Sequence, residues 1–284
     1  MKKKNHAVYE LLLSLLLLVC ICSCSTNDTS PKMIKIKNED LNIQISETLV
    51  TMKDFKEYIV ANNIESIEEF ESRKIRSRDI YYELDFNDDW PLWDITWREA
   101  ADYCNWLSKK DGYNPCYIFS EENKKALSCK VTIDKDANGF RMPYIRELII
   151  LSGIKDGLTK EKYEKENLCN IEQDINKMIA RPVFEGNKND YGVYDILGNL
   201  EQYCNDFYLE DYDYFDYNLS QFGPESYTPD PIQVGYNETL TPVRCCFGGF
   251  WFDTYESIQK KIIFDVNERS KEFSGIRLVR QTKR

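Results

Sequence analysis

The chain has 284 residues, with 48 acidic and 37 basic side chains and one histidine, His6. A formal charge of −11 repels phosphate backbones and argues against a nucleic-acid partner, while it favours cationic partners or Ca²⁺. Because His6 lies in a segment that reads as a cleaved leader, the mature chain has no Ser-His-Asp triad, no Cys-His pair and no histidine metal ligand, which removes most hydrolase and transition-metal chemistries.

That leader opens with Lys2, Lys3 and Lys4 and continues as an apolar run from Leu11 to Cys22. At about 1.5 Å per residue the run spans roughly 18 Å, short of a hydrocarbon core of about 30 Å, so it reads as a secretory signal and not a membrane span. Ile21-Cys22-Ser23-Cys24 resembles the lipobox of bacterial lipoproteins. The resemblance implies cleavage before Cys24, with residues 1–23 as the signal, a lipid on Cys24 and the polar stretch to residue 35 as a tether. An ordinary cleaved signal with incidental cysteines is the alternative. Acyl chains hold a protein on a membrane when two or more are attached. Loss of residues 1–23 removes three lysines and Glu10, leaving 34 basic against 47 acidic side chains and a formal charge of −13. Cysteines 104, 116, 129, 169, 204, 245 and 246 follow Cys24. Their spacing fits no zinc pattern, their pairing is not readable from sequence, and an odd count leaves at least one thiol free.

Along the remaining chain, residues 34–49 alternate apolar and polar as strands do. MKDFKEYIVAN (52–62) places Met52, Phe55, Tyr58 and Ile59 on one helical face, and the charged stretch 64–80 either extends that helix or loops out. A second helix is expected over 97–112, with Ala100, Tyr103, Cys104 and Leu107 as its apolar stripe and Gly112 as its stop. Residues 113–140 read as irregular with short strands. Pro143 then precedes a helix that ends at Gly153. Beyond residue 180, Gly, Asn, Asp and aromatics dominate. The dense YCNDFYLEDYDYFDY (203–217) reads as an acidic-aromatic loop packed on itself, with a binding groove as the alternative. Few long helices and many short segments indicate an α+β domain with much irregular structure.

Four segments in order then carry a family resemblance: DITWREAADYCNWLS (94–108), FRMPYIRELIILS (140–152), NDYGVYDILGNLEQYCNDFY (189–208), and CCFGGFWFD (245–253) followed by SGIRLVR (274–280). They resemble the formylglycine-generating enzyme, or sulfatase-modifying factor, family, and ETLVTMKDFKEYI resembles its first helix. The resemblance covers residues 36–284 and implies an elaborated C-type-lectin-like α+β fold. Gly198-Asn199 suits a tight turn, Gly248-Gly249 a close backbone approach, and Trp97, Trp106, Tyr203 and Trp251 the core.

Members that oxidise a cysteine to formylglycine hold copper(I) between two thiolates placed after the Gly-Gly motif. Aligning Gly248-Gly249 puts Asp253 and Ile258 at those positions, and Cys245 and Cys246 on the wrong side of the glycines. The resemblance therefore implies no catalytic residues here and makes copper unlikely. It also implies structural Ca²⁺, held by Asp195, the carbonyls of Gly198 and Leu200, and Gln202 where an acid is usual, with a second site from Asn170, Ile171 and Asp174. In variable surface proteins of similar fold, the segment from the Gly-Gly motif to the Gly-Phe-Arg motif forms the ligand face. The equivalent contacts are Phe252, Asp253, Tyr255, Glu256, Lys260 and Phe264, although the stretch is not rich in Asn and Phe250 stands where that pattern has Ser. The expected role is a membrane-anchored lipoprotein of the bacterial cell envelope that binds a protein or glycan at the surface. The competing readings are a divergent oxidase, a hydrolase using Asp206, Asp211 and Asp213, and an accessory lipoprotein for envelope assembly.

Overall fold

The computed structural model describes residues 30–76, 87–119, 131–154, 157, 159–172, 180–207, 244–260, 263–266 and 273–282. The expected lipidation site Cys24, Asp174, Asp211, Asp213 and the acidic-aromatic stretch beyond residue 207 lie outside them. The alternating N-terminal stretch forms two strands, β1 (Met33–Lys37) and β2 (Asn42–Ser46), with Ile34 opposite Ile45 and Ile36 opposite Ile43. The Asn38 side chain turns the hairpin by accepting the N–H groups of Asp40 and Leu41. The first strand starts at Met33, ahead of the expected domain boundary at residue 36.

Thr51 and Asp54 exchange hydrogen bonds as a capping box and start α1 (Met52–Asn62), which buries Met52, Phe55, Tyr58 and Ile59 as its spacing predicts. Burial of each large apolar side chain contributes about 1.5–3 kcal/mol. Asn63 then adopts a left-handed conformation (φ 52°) and ends the helix, so the charged stretch forms a separate helix, α2 (Ile67–Arg76). A second box, Thr96 with Glu99, starts α3 (Trp97–Lys110), whose buried face holds Ala100, Tyr103, Cys104 and Leu107. Asn105 on that face bonds both backbone groups of Tyr117, fixing strand β3 (Tyr117–Ile118), which pairs with β4 (Thr132–Ile133). After β5 (Phe140–Arg141) comes α4 (Ile145–Ser152), ended by left-handed Gly153, and then the short α5 (Lys160–Lys165).

The remaining strands are β6 (Glu201–Phe207), β7 (Arg244–Phe247), β8 (Ile263–Val266), β9 (Ser274–Gly275) and β10 (Val279–Gln281), with α6 (Tyr255–Lys260) between β7 and β8. They complete two four-stranded sheets, ordered β1-β2-β10-β5 and β8-β7-β6-β9. The first is antiparallel; the second carries one parallel pair, β6 with β9. Between β9 and β10 the three residues Ile276-Arg277-Leu278, all buried, carry the chain from one sheet to the other. This mixture of small sheets and short helices is the expected α+β architecture.

Two apolar clusters fill the interior. Successive residues of a strand face opposite sides of its sheet, and β7 uses this to separate its paired cysteines. Cys246 packs in the cluster with Leu200, Tyr203 and Trp251, whereas Cys245 packs in the other with Phe247 and Ile258. Both are fully buried in a central strand, so their adjacency reflects packing on two faces.

Candidate functional site

The chain leaves β7 through Gly248 (φ 102°) and Gly249 (φ 66°), both in the left-handed region. A Cβ on Gly249 would lie 2.9 Å from both Asp253 Oδ2 and Ile258 Cγ1. The two positions at which the resemblance expects copper thiolates therefore close over one glycine. Neither offers sulfur. Asp253 Oδ2 accepts the Phe250 N–H at 3.1 Å, its Oδ1 accepts the Ser257 hydroxyl at 3.0 Å, and Ile258 is buried. Among the described residues, Cys104, Cys116, Cys169 and Cys204 are free thiols. Burial pushes the Cys104, Cys116 and Cys204 thiols up, and Cys169 to about 12, away from the thiolate form that binds a soft metal.

Aromatic side chains surround this turn. Phe250 stacks on Phe273 with centroids 4.7 Å apart, and buried Trp251 touches Phe250, Phe252 and Phe273 edge-on. Of the expected ligand-face residues, Phe252 and Glu256 are exposed, while Tyr255 stacks on Tyr163 at 4.9 Å. Asp253 is committed to its own turn. Lys260 ends α6 and Phe264 lies opposite Cys246 in β8; their side chains lie outside the described set.

The two segments expected to hold calcium come together. Asn170 and Gly198 form a parallel bridge, and a Cβ on Gly198 (φ 72°) would collide with Ile171 Cγ2 at 2.4 Å. However, the side-chain ligands are already engaged. Asp195 Oδ1 receives Arg181 Nη2 at 2.5 Å, and Oδ2 receives Asn199 Nδ2 at 3.2 Å. Gln202 Oε1 receives Arg277 Nε at 2.6 Å, and its Nε2 donates to the carbonyls of Ile196 (2.8 Å) and Asp195 (3.3 Å). Arg277 also donates to the carbonyls of Ser46, Glu47 and Tyr194, and again to that of Asp195. Burial pushes the Asp195 carboxyl up, opposed chiefly by Arg181, and pushes Arg277 down to about 9, opposed by Asp195. As they stand, the Asp195 and Gln202 side chains do not fit a calcium ion, and Asp174 of the second expected site lies outside the described residues. Spacing within the motif marks Asp195 and Gln202 but not the arginines that reach them from residues 181 and 277. The hints in the sequence are Arg277 within the SGIRLVR motif and an acid in the largely apolar GVYDILGNL, which needs a cation if it is buried.

Asp206, a candidate acid of the hydrolase reading, is used structurally. Its Oδ2 accepts the N–H of Ile145, the first residue of α4, at 2.7 Å. Asp211 and Asp213 lie outside the described residues. Burial, seconded by Glu147 and opposed by the Ile145 N–H and Arg244, pushes the Asp206 carboxyl up to about 7, although the residue keeps some exposure. The folded value exceeds the unfolded one, so this contribution to stability is complete below about pH 4 and is lost as pH rises through about 7. The melting temperature is expected to fall by about 5 °C between pH 5.5 and 8, and Asp206→Asn to flatten that slope. An unchanged slope in the variant refutes the assignment.

The fold agrees with known proteins to which the chain is similar. The model of the family described as "Sulfatase-modifying factor enzyme 1-like domain" matches residues 27–282. A curated relative, the chaperone protein LppX of Paenibacillus barcinonensis, is 24% identical over 144 residues, covering 40% of this chain and 51% of that protein. The chain thus spans about half the length of the curated relative it matches. Among solved structures, Treponema denticola variable protein 1 superposes with a TM-score of 0.60 at 19% identity, over 89% of this chain and 92% of its own. PvdO from Pseudomonas aeruginosa and the protein CarF each give a TM-score of 0.53 at 14% identity, covering 88% and 89% of this chain and 91% and 95% of theirs. At such identities these structures speak for the fold alone.

Proposed function

The chain belongs to the sulfatase-modifying factor enzyme 1-like family, and from that premise we propose that it is a lipid-anchored envelope protein that has kept the family scaffold for binding and lost the family's oxidase chemistry. The observation that carries this reading is the pair Asp253 and Ile258, which meet over Gly249 without a thiolate between them. Copper(I) prefers soft sulfur ligands. A carboxylate holding an amide and a hydroxyl, beside a buried isoleucine, offers none.

The aromatic turn supports the binding half of the proposal. Phe250, Trp251 and Phe273 brace one another, so exposed Phe252 and the neighbouring Tyr255 and Glu256 sit on a rigid base. Rigid aromatics give contact area at low entropic cost. The partner is a surface protein or glycan, and likeness to a protein named a chaperone favours a protein partner. Anchoring rests on the lipobox-like Cys24; among the described residues no helix is long and apolar enough to cross a membrane.

Copper(I) titration of the purified chain, coupled to oxidation of a cysteine-containing sulfatase peptide, tests the chemistry. The expected result is no tight 1:1 copper and no aldehyde product. Tight copper with oxygen-dependent turnover overturns the proposal and revives the divergent oxidase. Screening the same preparation on glycan and matrix-protein arrays tests the face, because signals unaffected in Phe252→Ser/Tyr255→Ser place the ligand elsewhere.

A further inference from the structure

We propose that the chain's own arginines do the work of a metal ion in the 195–202 loop, so that Arg181 and Arg277 hold it closed and the domain folds and stays folded without calcium.

A calcium ion needs six to eight oxygens at about 2.3–2.6 Å, usually with carboxylates among them. The loop holds two acids: both Asp195 oxygens are taken by N–H donors, and Glu201 Oε2 accepts the Ser274 hydroxyl at 3.2 Å. Among the described residues no group of three His, Cys, Asp or Glu side chains could hold a metal. Gln202 decides the polarity of the site. Arg277 Nε is a donor only, so the amide must turn Oε1 toward it, which forces Nε2 toward Ile196 and Asp195. Gln202 thus has its one oxygen engaged and presents N–H groups on its other side, which offer a cation no lone pair.

Arg181 has a built seat. Its Nη1 donates to Asn167 Oδ1 at 2.8 Å, and its own backbone N–H and carbonyl bond both ends of the Asn199 amide. Gly186 (φ 119°) leaves space for the guanidinium, since a Cβ there would stand 2.2 Å from Nη2. Asn199 closes the arrangement by accepting from Asn170 Nδ2 and sending its backbone N–H to the Asn170 carbonyl. The Asp195 carboxylate, the Gln202 oxygen and the Asn170 carbonyl are thus each met by a fixed donor. The guanidinium lies 12% exposed against an Asp195 carboxylate 3% exposed, so the charges are matched within the chain.

The test is thermal unfolding of the purified protein in 150 mM salt with 5 mM magnesium, which holds screening of the acidic surface constant. Melts are compared with 1 mM added calcium and with a calcium-selective chelator. The wild-type midpoint is expected to agree within about 1 °C between the two, with no saturable heat on calcium titration. Arg181→Ala, which strands the Asp195 charge, is expected to melt lower by about 8 °C or more in chelator. Restoring an acid in Arg181→Ala/Gln202→Glu is expected to make the midpoint rise with calcium. A wild-type midpoint that rises several degrees with calcium and falls with chelator overturns the proposal, as does an Arg181→Ala protein as stable as wild type. If Arg181→Ala does not fold, its stabilising role stands and the wild-type comparison alone decides the metal question.

Discussion

Replacing Arg277 by leucine is expected to cost about 4–6 kcal/mol, enough to leave little folded protein at room temperature given total stabilities of about 5–15 kcal/mol. The guanidinium is fully buried where the chain crosses from β9 to β10, and it serves both sheets. Nη1 reaches the carbonyls of Ser46 (2.9 Å) and Glu47 (3.4 Å) at the end of β2. Nη2 reaches those of Tyr194 (2.6 Å) and Asp195 (3.1 Å), while Nε holds Gln202 at the start of β6. Leucine fills the volume but leaves four carbonyls and an amide oxygen without these donors in a site closed to water. Arg277→Lys keeps the charge and loses the fork, so a loss of about 3 kcal/mol is expected to remain. Urea unfolding followed by tryptophan fluorescence gives both numbers. A leucine variant within about 1 kcal/mol of wild type means that water enters the site and that Arg277 does not join the sheets.

The contrast between what the sequence discloses and what it conceals follows from the range of each interaction. The helices α1 and α3 were readable because their signals are local: Thr51 with Asp54 and Thr96 with Glu99 lie three residues apart, and the buried faces recur with the helical period. The break between α1 and α2 was open in the sequence because it spans only residues 63–66 and turns on one left-handed residue, Asn63. The Gly-Gly turn could be placed by its motif, and with it the meeting of Asp253 and Ile258. The cation pairs were invisible. Arg181 sits 14 residues before its partner Asp195, and Arg277 lies 75 residues after Gln202. Neither separation corresponds to a helical or strand period, so only the closed fold defines these contacts. The motif indicated calcium ligands by residue type; the arginines that occupy them arrive by tertiary folding.

A third buried arginine pair sets the next largest effect: Glu147→Gln is expected to destabilise the domain by about 3–5 kcal/mol. Glu147 takes Arg141 through both carboxylate oxygens, at 2.6 and 2.8 Å, and its Oε2 also accepts the Tyr144 N–H at 2.8 Å. The pair is 7% and 8% exposed, with the guanidinium 4.7 Å from the centroid of the Tyr144 ring. Burial pushes Arg141 down while Glu147 more than offsets it, leaving the guanidinium firmly charged. Glutamine can still accept from Tyr144, but it strands that charge in the interior. The loss therefore measures an unpaired cation and not the net worth of the bridge. Arg141→Met/Glu147→Leu separates the two quantities. Removing both charges spares the desolvation cost, so the double variant is expected to lie at least about 2 kcal/mol above Glu147→Gln despite losing more hydrogen bonds. A double variant no more stable than Glu147→Gln means instead that the hydrogen bonds to Tyr144 and Met142 dominate, and that α4 is held at its N-terminus by geometry more than by charge.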